Sequence, residues 1–175
     1  MILCMNQAKK DFYKNATYEL LSQLNKMGLS DTDKQKAVFY TKLLREAFTY
    51  DEIKQYTFIE PGADIWDLGY DSAGFCRIAS TVFSIALGFN DWKLMRVDAD
   101  QWDGNASHHY LKHIPSGQFF DLTYDQFAIT GMKVPYEIGK PAAYRLYPNN
   151  DIMRFANALN IDIISMLKSN SKGDK

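Results

Sequence analysis

Cysteine is scarce in this sequence. Only two of the 175 residues are cysteine, Cys4 and Cys76, and they lie far apart along the chain. Disulfide-stapled domains and zinc fingers need more cysteines at closer spacing, so both classes are excluded. Cys4 lies in a short apolar N-terminal run, and we assign it no function. What remains to decide is whether Cys76 takes part in chemistry.

An excess of positive charge and a long apolar run are also missing. The 20 basic residues are balanced by 21 acidic ones, so we expect no nucleic-acid partner. No apolar run approaches the roughly 18 residues of a membrane helix, so we expect no membrane partner. The first residues lack the basic segment and long apolar stretch of a secretory signal, which predicts a cytoplasmic protein with reduced thiols. The pattern leaves the oligomeric state open.

Apolar residues are plentiful. The chain is 46% hydrophobic and 14% aromatic, and its length suits one domain with a sizeable core. We expect a single α+β domain over residues 1–168, with an N-terminal helical part at 1–50 and a core at 72–147. Residues 169–175 are polar and predict a disordered tail.

Apolar residues at helical spacing predict four helices. Two of them fill the N-terminal part, and Ser30 or Asp31 caps the second. A third helix is expected at about 73–87, where Gly88 ends it. A final helix begins near Asp151.

Between the third and final helices the period changes. Three short runs rich in aromatic and β-branched residues, at 92–98, 107–114 and 118–124, predict antiparallel strands. Residues 142–147 are a candidate for a further strand. Helices followed by a run of strands indicate an α+β fold and not alternating βαβ units.

Cys76 lies in the first turn of the predicted third helix. The only charged residue of that helix is Arg77, so we expect it to be buried on several sides. The N–H groups and the positive dipole end of a helix N-terminus stabilise a thiolate and can also bind an oxyanion. The alternative is that Cys76 is a small buried apolar residue, as most free cysteines are.

All three histidines, His108, His109 and His113, fall on one predicted strand. Neighbouring strand residues point to opposite faces, and His109 and His113 would be on the order of 13 Å apart. No pair can share one metal ion without other ligands. We therefore expect neither a metal nor another cofactor.

The turn after this strand predicts which histidine meets a carboxylate. Residues 114–117 fit a type I turn followed by a bulge, that is, a three-residue hairpin loop. That loop sets Leu111 opposite Asp121 and makes His109 the diagonal neighbour of Asp121, about 7–8 Å away. A two-residue loop would bring His108 beside Asp121 instead. With the favoured loop, one core face of the hairpin collects Tyr110, Ile114, Phe120, Leu122 and Tyr124.

Cys76, His109 and Asp121 follow one another along the chain as nucleophile, base and orienting group. A carboxylate beside a histidine holds one tautomer, so that the other ring nitrogen can accept a proton. A thiol at a helix start is activated by such a base. The alternative is that the histidine and Asp121 form a structural pair only.

Four short motifs carry a resemblance to a known family. They are SAGFC at 72–76, SHHY at 107–110, PSG at 115–117 and DLTYDQF at 121–127. They resemble the YunG-like family of small uncharacterised bacterial proteins, whose pattern is approximately SAGQC, HYW, PDG and DLTxxQF. That family is similar to papain-like and transglutaminase-like folds, in which a cysteine on a central helix meets a His and an Asp or Asn on adjacent strands.

The resemblance implies a fold and a set of site residues. It implies a papain-like or transglutaminase-like core, in which the helix carrying Cys76 packs on a small antiparallel sheet, with helices added at both ends. The spacing to Pro115 again favours His109. Phe75 stands where the family has Gln, so a side-chain oxyanion donor is missing there, and Leu111 replaces an aromatic residue. The first seventy residues lie outside the resemblance and could form a cap over the cleft or a partner-binding element.

Together these observations predict a cysteine hydrolase or acyltransferase of the thiol protease type. The triad would be Cys76, His109 and Asp121, and the substrate an amide, isopeptide or thioester in a peptide, a protein or a small amide. The alternative is a non-catalytic peptide- or protein-binding module that retains the papain-like fold. Phe75 and the surplus of aromatic residues favour that alternative.

Overall fold

The structure, a computed structural model, describes residues 2–58, 71–103, 106–143 and 149–171. Within these ranges helices surround a small antiparallel sheet, which confirms the α+β class. The helices are α1 (Ile2–Lys26), α2 (Asp31–Ala47), α3 (Asp51–Thr57), α4 (Cys76–Leu87), α5 (Asp125–Ala128), α6 (Asn150–Ala158) and α7 (Ile163–Ser171). The strands are β1 (Trp92–Val97), β2 (His108–His113), β3 (Phe119–Phe120) and β4 (Lys140–Pro141). No helix in the described ranges is both long and apolar enough to span a bilayer.

The sheet has the strand order β3-β2-β1-β4. β1 and β2 pair along their whole length, from Trp92 opposite His113 to Val97 opposite His108. β3 is only two residues long, much shorter than the predicted strand at 118–124, because the chain turns after Phe120 towards α5. Of the candidate strand at 142–147, residues 142–143 lie outside any strand, and 144–147 lie outside the described residues.

Helix α4 is the centre of the fold. Its residues from Ile78 to Ile85 are all buried, and it contacts α2, α6 and α7 as well as β1 and β2. Burial on several sides is therefore confirmed. The helix begins at Cys76 and not at residue 73, because residues 71–74 form a turn in which Gly74 has a φ of +79°. It ends at Gly88, as predicted.

The N-terminal helices belong to the core. Leu20 and Leu24 of α1 and Leu44 of α2 are buried in the same hydrophobic cluster as α4. Ser30 caps α2, since its side chain accepts a hydrogen bond from the backbone N–H of Asp33 at 3.1 Å. The described residues that line the cavity at Cys76 include none from α1 or α2. Their contribution is packing behind the central helix.

The predicted final helix is in fact two helices, α6 and α7. The break lies at Asn160, which has a φ of +56° in the left-handed region, and Asp162 then accepts a hydrogen bond from the backbone N–H of Ser165 at the start of α7. Helix α7 continues to Ser171, into the predicted tail. Residues 172–175 lie outside the described ranges.

The β2–β3 hairpin differs from its predicted register by one position. Gly117 N–H donates to the carbonyl of His113 at 2.8 Å, and His113 N–H donates to the carbonyl of Gln118 at 2.9 Å. The loop therefore has four residues and not three. As a result Leu111 lies opposite Phe120 and not opposite Asp121.

This shift changes which residues share a face. Leu111 and Phe120 lie together in the main core beneath α4, whereas Tyr110 packs on the opposite face with Met95 and Val97. Ile114 is 45% exposed. The predicted common core face for Tyr110, Ile114 and Phe120 is therefore wrong, because a one-residue slip moves every side chain of a strand to the other face.

Candidate active site

Cys76 is the first residue of α4. Phe75, which precedes it, makes no side-chain cap at this helix start, so no capping side chain occupies the first-turn N–H groups and the positive end of the dipole. The thiol is free and partly exposed. It lines a cavity of about 300 Å³. Cys4, the other cysteine, lies among residues whose side chains the structure does not describe.

A buried His–Asp pair lies beside this helix start. His108 Nε2 and Asp121 Oδ2 are 2.6 Å apart, and the two residues are 0% and 4% exposed. His108 is the first residue of β2, and Asp121 directly follows β3. The prediction that Asp121 orients His109 is therefore wrong, because the fourth loop residue moves Asp121 to the face of β2 that carries His108. The residue that contacts Asp121 is His108, the alternative partner.

Asp121 is held by three further hydrogen bonds. Its Oδ1 accepts from the backbone N–H of Thr123 at 2.9 Å and from the Thr123 hydroxyl at 3.1 Å. Its Oδ2 also accepts from the Tyr136 hydroxyl at 2.9 Å. Burial raises the pKa of Asp121, but His108 and these donors outweigh that effect and lower it. The carboxylate therefore stays ionised and fixed in orientation.

Tyr136 is a site residue that sequence reasoning missed. It lies in a single 3₁₀ turn, Tyr136–Ile138, and its carbonyl accepts a hydrogen bond from the Tyr110 hydroxyl at 2.6 Å. Tyr110 neighbours His108 on the same face of β2. No short-range pattern connects Tyr136 with Asp121, because only the packing of the loop after α5 against the sheet brings them together.

The imidazole of His108 is enclosed by aromatic rings. The ring of Phe127 stands edge-to-face at 4.7 Å, and those of Trp102 and Tyr110 lie at 6.1 and 6.3 Å. Such surroundings exclude water and strengthen every charge interaction inside them. They also hold the ring in one plane.

Thiol and imidazole shift each other's protonation. Burial raises the pKa of Cys76, but the nearby imidazoles of His108 and His109 outweigh that effect and bring it down to about 5. Burial lowers the pKa of His108, but Asp121 and the Cys76 thiolate raise it to about 10. These opposite shifts favour a thiolate–imidazolium pair, the form in which a cysteine is nucleophilic.

Only one nitrogen of His108 is left to exchange a proton. Nε2 is engaged by Asp121, whereas Nδ1 is buried and has no hydrogen-bond partner among the described residues. Nδ1 is therefore the ring nitrogen that is free to exchange a proton with the thiol. Contacts between catalytic groups are often long in unliganded enzymes and tighten when substrate binds.

His109 also lies in this site, with a different environment. It is half-buried, it points to the other face of β2, and it lies opposite Arg96 of β1. Its side chain lines both the cavity at Cys76 and a neighbouring groove of about 490 Å³. Its Nδ1 is buried and has no hydrogen-bond partner among the described residues.

Phe75 lies in the core and not in the cleft. It is 0% exposed, and its ring stacks on Phe48 at 4.6 Å and contacts Phe58 and Phe155 at 4.9 and 5.1 Å. The position before the nucleophile thus anchors the start of α4 and supplies no polar side-chain group to the site.

The arrangement places a thiol of lowered pKa in the wall of an open cavity, with a buried imidazole and a fixed carboxylate beside it. Within the described parts of the chain, no cluster of three or more His, Cys, Asp or Glu side chains has the geometry of a metal site. Comparisons of the chain with protein-family models, with curated proteins and with solved structures find no match.

Proposed function

We propose that this protein is a cysteine hydrolase or acyltransferase acting on an amide, isopeptide or thioester. Cys76 is the nucleophile, His108 the general acid and base, and Asp121 the orienting group. The observation that carries the proposal is the buried pair of His108 and Asp121, 2.6 Å apart, beside a thiol whose pKa is lowered to about 5. The base is thus His108 and not His109, which the sequence favoured.

The first half of the reaction acylates the enzyme. The Cys76 thiolate attacks the substrate carbonyl carbon, a carbon–sulfur bond forms, and the carbonyl electron pair moves onto oxygen. Backbone N–H groups at the start of α4 donate to this oxyanion. The intermediate collapses as the imidazolium of His108 gives its Nδ1 proton to the leaving nitrogen or sulfur, and a thioester remains on Cys76.

The second half releases the acyl group. Water or an amine attacks the thioester while neutral His108 takes the proton of the attacking group. The carbon–sulfur bond breaks, and the thiolate–imidazolium pair is restored. Asp121 stays ionised throughout and stabilises the imidazolium form. A water acceptor makes the reaction a hydrolysis, and an amine acceptor makes it an acyl transfer.

The architecture supports a papain-like or transglutaminase-like core. The nucleophile begins a central helix that packs against an antiparallel sheet. The histidine begins β2, and the aspartate directly follows the neighbouring strand β3. The motifs at 72–76, 107–110 and 121–127 are the ones that carry the family resemblance. Peptides, proteins and small amides are the proposed substrates, and a cavity of about 300 Å³ leaves room for their acyl group.

The test is the pH dependence of Cys76 alkylation by iodoacetamide, in a Cys4→Ala background that leaves one thiol. The rate should reach half of its plateau near pH 5, the pKa of the thiol. The midpoint is the informative quantity, because the nucleophilicity of a thiolate falls together with its pKa. His108→Ala should move the midpoint up by more than one pH unit, and Cys76→Ala should abolish labelling.

An ordinary midpoint, at about pH 8.5, would contradict the proposal. That outcome would leave the non-catalytic peptide- or protein-binding module as the better description. Quantifying the alkylated peptide by mass spectrometry identifies the labelled residue directly. Asp51→Asn is a suitable control, since this carboxylate is 84% exposed on α3 and should leave the midpoint unchanged.

A further inference from the structure

The oxyanion of the proposed reaction needs more than one hydrogen-bond donor. The start of α4, where Cys76 lies, provides only part of that set. The first-turn N–H groups of α4 are one source. The residue before the nucleophile is not another, because Phe75 has no polar side-chain group and is buried among aromatic rings. A second donor has to come from elsewhere in the wall of the cavity.

The other side-chain donors of that wall are the hydroxyls of Thr57 and Ser107 and two guanidinium groups. Neither hydroxyl is among the groups that lower the pKa of Cys76, as His109 is. Arg77 is ion-paired with Asp151, and Arg154 donates from both Nε and Nη2 to the carbonyl of Thr57, at 3.1 and 2.9 Å. Both guanidinium groups are therefore committed to holding α6 against its neighbours.

The ring nitrogens of the two histidines have different partners. In the proposed function, His108 Nε2 contacts Asp121 and His108 Nδ1 exchanges a proton with the thiol. His109 lines the same cavity as Cys76, and its buried Nδ1 has no partner among the described residues. Consecutive strand residues point to opposite faces, so the two imidazoles reach the helix start from different sides. His109 also contributes to the lowered pKa of Cys76, as expected of a ring close to the sulfur.

We propose that His109 is a catalytic residue that donates an imidazole N–H to the oxyanion, in place of the side chain that Phe75 does not provide. The inference rests on the proposed function. In this role His109 transfers no proton. In the resting enzyme its N–H faces the thiolate, and during attack it turns to the substrate oxygen, on which negative charge develops.

Two reagents separate this role from simple stabilisation of the thiolate. With p-nitrophenyl acetate, the thiolate attacks the ester carbonyl, an oxyanion forms, and collapse releases p-nitrophenolate and leaves S-acetyl-Cys76. With iodoacetamide, the thiolate attacks the methylene carbon and iodide leaves, so no oxyanion forms. Only the first reaction needs the proposed donor.

The experiment measures both rates at pH 8 in the Cys4→Ala background, and the alkylation rate corrects for any change in the fraction of thiolate. His109→Ala should slow acetylation about 100-fold relative to alkylation, the usual effect of losing one oxyanion donor. His109→Gln keeps an N–H donor and should restore most of the ratio. Lys112→Gln, a half-buried position on the same strand that lines neither cavity, should change neither rate.

Each other outcome overturns the inference. Equal losses in both reactions, with no recovery in His109→Gln, would mean that His109 only stabilises the thiolate. Unchanged rates would mean that it does not touch the reacting atoms. Both of these results leave the proposed function intact. In the protein with native His109, an alkylation midpoint like that of an ordinary thiol would instead overturn both the proposed function and this inference.

Discussion

Two adjacent histidines have different surroundings in this protein. His108 is sealed among aromatic rings and bonded to Asp121, whereas His109 faces the open cavity and the groove beyond it. The difference follows from the alternation of side chains along a strand. At the scale of single residues, the face of β2 that lies against Asp121 therefore determines which histidine has a carboxylate partner.

Replacing Asp121 by Asn tests the electrostatic part of this arrangement. Asn keeps the shape but removes the charge that holds the pKa of His108 at about 10. The imidazolium becomes less stable and the thiolate loses its partner, so the pKa of Cys76 should rise from about 5. The alkylation midpoint is expected to move up by about one pH unit or more, the size of shift that a nearby opposite charge produces.

Thermal unfolding of the same variant checks the sign of the linkage. The pKa of His108 is raised in the folded state, so its contribution to stability is full below its unfolded pKa and disappears as pH rises through about 10. The stability lost in Asp121→Asn should therefore be larger at pH 6 than at pH 11. An equal loss at both values would argue against a charged His108. Asp51→Asn, at an exposed site, is the matched control.

At the scale of elements, a single loop residue decides which histidine contacts Asp121. The loop at 114–117 closes with Gly117 at a φ of +71°, and the hydrogen bonds at its base set β2 against β3. A loop one residue shorter would have turned the other face of the strand to Asp121. The start of α4 is determined in a similar way, because the turn at 71–74 delays the helix until Cys76.

Gly117→Ala should destabilise the protein through backbone strain alone. A Cβ at this position would meet no atom within 4 Å, so crowding does not contribute. The free energy of unfolding should fall by about 1–2 kcal/mol, the cost of placing an L-residue in the left-handed region. Gly117→Asn should cost less, since Asn tolerates this conformation. Urea unfolding measures both, and equal losses in the two variants would contradict the explanation.

At the scale of the whole molecule, one buried ion pair links the N-terminal helices to the site. Arg45 Nη1 and Asp125 Oδ1 are 2.5 Å apart, and the two side chains are 1% and 5% exposed. Arg45 also donates to the carbonyls of Tyr13 and Leu122, both at 2.9 Å. Asp125 accepts from the hydroxyl of Ser72 at 3.0 Å. This network joins α1, α2, the segment before Cys76 and the segment after Asp121.

Arg45→Met should therefore be strongly destabilising. Removing one partner leaves a buried carboxylate without its counter-charge, which costs about 3–5 kcal/mol. Arg45→Met combined with Asp125→Leu should recover part of that loss, although the carbonyls of Tyr13 and Leu122 stay unpaired. Arg96→Met is the control, because the pair of Arg96 and Asp98 is 48% and 38% exposed and should contribute below about 1 kcal/mol. Denaturant titrations with equal losses in Arg45→Met and Arg96→Met would contradict this account.

The sequence by itself determined the local features of this protein. Apolar spacing predicted α1, α2 and the burial of α4, and the glycine after Leu87 predicted where α4 ends. The position of Cys76 at the start of a nearly uncharged helix also followed from neighbouring residues alone. These features depend on contacts within one or two turns of the chain, which is why sequence reasoning reached them.

Tertiary structure alone decided which residues meet. The choice of His108 over His109 depended on one loop residue, because a register shift of one position reverses every side chain of a strand. Tyr136 reaches Asp121, and Arg45 reaches Asp125, only because distant segments pack against the same sheet and helix. Such contacts depend on the free energy of burying the whole core. Because residues from the whole chain contribute to that free energy, no short stretch of sequence predicts them.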